Sequence, residues 1–175
     1  MASNAARCGR VLRSVAPSLL GVSLLGLPMT MHAANNCAWL NEATASGLLG
    51  GSAVGEVTEA AGQPTVCEFT QMDASAKRTL RISVEVVTDP HERVGVLEKG
   101  CGGNPTPLKA IGNEAASCAL SDRKIAVGKQ VIGRVRDQVF IITIASTLKN
   151  DPVLQGDALD SKIYTAAEQV AGNLF

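Results

Sequence analysis

Residues 79–87 read Thr79-Leu80-Arg81-Ile82-Ser83-Val84-Glu85-Val86-Val87. Leu80, Ile82, Val84 and Val86 point one way, and Arg81, Ser83 and Glu85 the other. A period of two predicts a strand with one buried and one wet face, the habit of antiparallel sheets. Upstream, Ala53 to Glu59 and Thr65 to Gln71 read as strands separated by the turn signal Gly62-Gln63-Pro64. Before them, Asn41 can cap a short helix through Leu49, and Gly50-Gly51 ends it. Downstream, Asp89-Pro90 opens a second helix: Asp at the N-cap, Pro where a missing N–H costs nothing. Val94, Val96 and Leu97 supply its apolar residues, and Gly100 stops it.

The stretch GCGGNPTP (100–107) reads as an irregular loop. Glu114 to Leu120 reads as a strand, and Gln130–Arg136 with Gln138–Ser146 as a hairpin. Its turn at Arg136-Asp137 lacks the glycine or asparagine that two-residue turns prefer. Phe140, Ile142 and Ile144 line one face of the last strand and Val139 and Ile141 the other, as in a central strand. A final helix is expected after a capping Asp157, with Leu159, Ile163, Ala166 or Ala167, Val170 and Leu174 as its apolar stripe. The expected fold is α+β: an antiparallel sheet with three helices packed on one side. The order helix, three strands, helix, three strands, helix allows an internal duplication.

The first 34 residues differ from the rest. Arg7, Arg10 and Arg13 precede an apolar run from Val15 to Leu27, and small residues close the segment at Ala33-Ala34. That composition predicts a signal peptide over 1–33 and a single domain over 34–175. The apolar run is short of the ~20 residues of a membrane span. Sixteen basic and sixteen acidic residues balance in the whole chain. Loss of the three leader arginines leaves thirteen basic against sixteen acidic, a net charge of −3. With one Trp, one Tyr and three Phe, such a chain is ill suited to nucleic acid, which needs basic patches and stacking faces.

Cys37, Cys67, Cys101 and Cys118 follow the leader. An even count in an exported chain predicts two disulfides and a secreted or periplasmic protein. Four cysteines allow three pairings. Closing the shorter loops favours Cys37–Cys67 and Cys101–Cys118. No C-x-x-C spacing suggests zinc.

Catalytic patterns are missing from the sequence. His91 is the one histidine beyond the leader and sits in the first turn of the second helix, where it reads as exposed. No serine lies in a G-x-S-x-G elbow, and 100–107 lacks the lysine–hydroxyl pair of a phosphate loop. Glu56, Glu59, Glu68, Glu85 and Glu114 lie on or near strands without forming an evident pair for glycoside chemistry. Trp39, beside Cys37, reads as packing on the bridge rather than as a ligand platform. Neither an enzyme nor a cofactor is expected.

One constellation points to a partner. Arg81, Arg134 and Arg136 fall at alternate positions of two strands, with Lys129 and the Arg123-Lys124 pair nearby. On one wet face they would suit an anionic envelope polymer or protein. The competing reading is a solvated sheet face laced with Glu85 and its neighbours.

The segments CAWLNEATASGLLG (37–50), CEF (67–69), LKAIGNEA (108–115), VIGRVRDQVFIIT (131–143) and AAEQVAGNLF (166–175) resemble an uncharacterised family of bacterial cell-envelope lipoproteins. The resemblance implies that Cys37 and Cys67 form the structural pair. It also implies that Ile111 to Ala115 turn into the second half of the sheet. This chain departs from the family in lacking a lipobox and in its Cys101–Cys118 pair, so a soluble product is expected. The function expected is an exported, non-catalytic binding or sensor-like domain. The alternatives are a hydrolase inhibitor presenting Asn104-Pro105-Thr106 and a hydrolase working through carboxylates alone.

Overall fold

A computed structural model describes residues 36–120 and 125–175. The leader and the Arg123-Lys124 pair lie outside the described residues. Three helices and seven strands follow in the order α1 (Glu42–Leu49), β1 (Ala53–Thr58), β2 (Thr65–Met72), β3 (Lys77–Val86), α2 (Pro90–Glu98), β4 (Thr106–Leu108), β5 (Glu114–Ala119), β6 (Val127–Val135), β7 (Gln138–Ser146) and α3 (Gly156–Leu174). The strands form one sheet, ordered β1-β2-β3-β7-β6-β5-β4, and every neighbouring pair is antiparallel. The α+β class and both disulfides, Cys37–Cys67 and Cys101–Cys118, are as expected.

Two meanders meet at the centre. β3 pairs with β7 from Arg78↔Ser146 to Val86↔Gln138, so β7 is the central strand its two apolar faces suggest. Leu80, Ile82 and Val84 of β3 join Phe140, Ile142 and Ile144 of β7 under α1 and α3. Ile132, Val139 and Cys118 point the other way and pack against Val94 of α2, with Leu97 and Ile141 at the margin. This corrects one expectation. The helices do not share a side, because α2 covers the second apolar face of β6 and β7 while α1 and α3 cover the first. The second half has a fourth strand, β4, beside the three expected.

Two local expectations change as well. Thr106–Leu108 in the glycine-rich stretch pairs with β5 as a short edge strand. Asp157 lies within the first turn of α3, and Gln155 occupies the cap without a side-chain bond. The two-residue turn Arg136-Asp137 forms although it has no glycine. Arg136 takes φ +56°, the Asn113 side-chain oxygen accepts its backbone N–H at 2.7 Å, and its guanidinium lies 5.9 Å over the Phe175 ring. Tertiary contacts supply what the turn residues lack.

Helix α1 serves the sheet edge. Glu42 accepts the backbone N–H of Gly55 at 2.8 Å, and Ser46 accepts that of Ala53 at 2.9 Å. These amides face away from β2, so α1 side chains cover the free edge of β1. At the opposite edge, β4 spans three residues with Pro107 in the middle. Short, covered or proline-bearing edges resist further pairing. Lys162 of α3 donates to the carbonyls of Gly47 and Leu48, placing a cation at the negative end of α1. Burial lowers its pKa.

A polar row closes one end of the core. Gln71, Arg78 and Ser146 are opposite one another across β2, β3 and β7. All three are buried, as is Asp151 in the loop before α3. Arg78 donates to Asp151 at 2.7 Å, to Gln71 at 2.9 Å and to Asp73 at 2.9 Å. Ser146 donates to Asp151 at 2.6 Å, and Asp151 also accepts the amides of Val153 and Leu154.

The backbone runs close to its neighbours at Gly133. A Cβ there would lie 2.6 Å from the tip of the Phe140 ring and 2.9 Å from both Ala115 Cβ and the Glu114 carbonyl. Gly133→Ala is therefore expected to destabilise the fold by about 1–3 kcal/mol through overpacking. Gly47→Ala, whose Cβ meets nothing within 4 Å, should be neutral or stabilising in its helix. Denaturant midpoints of the two variants check both statements.

Candidate binding cleft

Arg81 and Arg134 do lie on one face of the sheet, the face that α2 partly covers. Arg81 pairs in register with Thr143, and Arg134 with Val139, so they are separated along the sheet. Each is matched by a carboxylate. Arg81 is 3.9 Å from Glu68, and Arg134 bonds Glu114. Arg136 is in the hairpin turn, over Phe175. Lys129 points to the opposite face and pairs with Asp160 of α3. The three arginines thus form no continuous basic row.

Glu114 is the hub of this region. Both of its oxygens lie 2.9 Å from His91 Nδ1; since a carboxylate only accepts, the imidazole N–H donates. His91 is exposed, 78% by its side chain. Burial would raise the Glu114 pKa, but the bonds from His91 and Arg134 outweigh it and hold the carboxyl below its ordinary value. Together with Glu85–Arg93 at 2.6 Å, this network seats the start of α2 on the sheet. Its groups satisfy one another, which is what a clasp requires.

Two depressions flank α3. One, of about 530 Å³, runs between α3 and the β4–β6 side of the sheet, lined by Leu108, Ser117, Lys129, Asp160 and Tyr164 among others. Its charged groups pair with each other, and the Tyr164 hydroxyl donates to the Lys109 carbonyl at 3.1 Å. These contacts strap the helix down.

The other depression differs in kind. About 570 Å³ in volume, it lies between residues 37–44 and the last turns of α3. Trp39, Asn41, Thr44, Gln169, Gly172 and Asn173 line it, and none of its described lining residues is ionisable. Gln169, Gly172 and Asn173 share one helix face by their spacing. The opposite wall has no regular structure before α1, yet it is held at three points. Cys37 is bonded to Cys67 on β2, Leu40 is buried at 4% exposure, and Asn173 donates to the Trp39 carbonyl at 2.8 Å.

Trp39 is half-buried. It packs against the main core and also lines the cleft, so it is not confined to the bridge as its place beside Cys37 suggests. Asn41 caps α1, its side-chain oxygen accepting the Thr44 amide at 2.8 Å. That bond leaves the Asn41 amide N–H2 group unpartnered among the described residues, as are the side chains of Gln169 and Thr44. The cleft thus offers open neutral donors and acceptors beside an indole, on a fixed frame.

Among the described residues, no group of three or more His, Cys, Asp or Glu side chains is placed to hold a metal ion. None of their helices is long and apolar enough to cross a membrane. Neither family models, curated proteins nor solved structures give a match to this chain.

Proposed function

We propose that this chain is an exported, non-catalytic binding domain of the bacterial cell envelope, and that its ligand occupies the cleft between residues 37–44 and α3. The observation that carries this reading is the set of open, uncharged hydrogen-bonding groups around Trp39 on a disulfide-anchored wall. A cleft with a few convergent polar groups and a rigid frame is the usual form of a ligand site. Two disulfides fit an oxidising compartment, in keeping with the leader over 1–33. The polymer or protein partner expected at Arg81, Arg134 and Arg136 moves to the cleft in this reading, because carboxylates already hold two of those arginines.

Secretory expression of the full chain should give a protein beginning at Ala34 or Asn35. That protein should be retained by isolated envelope fractions. Gly172→Phe, whose Cβ meets no other atom within 4 Å, should fold normally, fill the cleft and lose retention. An intact Met1 would overturn export. Equal retention of both proteins would overturn the cleft as the site.

A further inference from the structure

Resting on that reading of the cleft, we propose that its ligand is a neutral saccharide, a short run of uncharged sugar rings bearing hydroxyl or acetamido groups. Charge is the first argument. Among the described residues no ionisable side chain lines the cleft, so a charged ligand would lose hydration without meeting a counter-ion. Hydrogen-bonding capacity is the second. Gln169 and Asn41 present amide groups and Thr44 a hydroxyl. The Gln169 amide and the Thr44 hydroxyl can donate and accept at once and the Asn41 N–H2 group can donate, which suits neighbouring sugar hydroxyls that do both.

Trp39 supplies the third. An indole gives a large flat apolar surface with one polar edge, matched to the C–H face of a pyranose ring. The volume falls within the roughly 300–1,000 Å³ of clefts that take ligands of drug size, which accommodates a short oligosaccharide. The walls are already fixed by Cys37–Cys67 and by the bond from Asn173 to the Trp39 carbonyl. Little ordering is then lost on binding. An extended peptide is the poorer occupant. Peptides in this mode gain affinity by pairing with a free strand edge, and here α1 covers β1 while Pro107 interrupts β4.

Trp39 is the chain's single tryptophan, so its emission reports on the cleft alone. The experiment titrates the secreted protein with chitotriose, with maltotriose and with a trigalacturonate of similar size, following tryptophan emission. At least one neutral trisaccharide should give a saturable change, unaltered by salt or by pH between about 5 and 7, because no described side chain of the cleft titrates there. Gln169→Glu should weaken that binding about tenfold or more, since it sets an unpaired charge against a neutral ligand, with no change in melting temperature. Saturation by the uronate alone overturns the saccharide class proposed here. So does silence toward both neutral sugars while envelope retention stays sensitive to Gly172→Phe; that result leaves the cleft as a binding site for something else. Silence together with retention indifferent to Gly172→Phe overturns both readings.

Discussion

Replacing Arg78 by Met is expected to cost about 3–5 kcal/mol, because it leaves Asp151 buried without a counter-charge; Asp151→Ala should cost less, since Arg78 keeps Asp73 as an ionic partner. Asp151 is 0% exposed and Arg78 3%. The pair therefore resists the solvent screening that makes surface ion pairs weak. Removing both charges at once, as Arg78→Met with Asp151→Leu, should cost much less than the sum of the single changes. Urea denaturation of the three variants gives the coupling. Additive losses would show that the two side chains act independently.

The same cluster sets the acid limit of the fold. Burial alone would raise the Asp151 pKa, but its bonds from Arg78 and Ser146 prevail and lower it. Asp73, in the turn before β3, is lowered from 3.8 to about 2, first by the Ser75 amide and hydroxyl and then by the Ala76 amide. Glu114 is lowered too. A carboxyl with a depressed folded-state pKa binds protons more readily once unfolded. Its contribution is complete above the unfolded pKa and is lost as pH falls through the folded one. For Asp73 that window runs from 3.8 down to about 2. Stability should thus be flat near neutrality and fall in acid, and Asp151→Ala should flatten part of that fall.

The second large effect belongs to Cys37–Cys67. The bridge spans 30 residues, and opening a loop of that size costs about 3–4 kcal/mol in chain-entropy terms. The 17-residue span of Cys101–Cys118 corresponds to about 3 kcal/mol. Cys37→Ser with Cys67→Ser should lower the melting temperature at least as far as the other double replacement does. It should also free residues 37–40 and change Trp39 emission, which loss of Cys101–Cys118 should not. Thermal melts and emission spectra of the two double variants decide between them. An unchanged melting temperature in reductant would show that neither bridge carries stability.

Much of the sheet was legible because alternation is a local signal. β3 shows it over ten residues, and the doubly apolar pattern of β7 placed it at the centre. Its second apolar face is covered by α2, which packs opposite α1 and α3 although all three helices were expected on one side. β4 was hidden because three residues around a proline in a glycine-rich stretch leave no period to read. The α3 cap was misplaced because an aspartate near a helix start satisfies the dipole as well inside the first turn as at the cap. Arg78 and Asp151 gave no warning, being 73 residues apart. The cleft was half visible. Asn41 reads as a cap and Gln169-Asn173 as one helix face, but their meeting depends on contacts such as Asn173 to Trp39, 134 residues apart.

The covered edge of β1 and the proline in β4 have a consequence for self-association. Growth of a sheet from molecule to molecule needs a row of vacant amides and carbonyls on which the next chain can template. Here one margin is hemmed by Glu42 and Ser46, and the other ends in a three-residue strand that offers little to copy. A folded molecule of this kind is a poor seed for fibres at high local concentration.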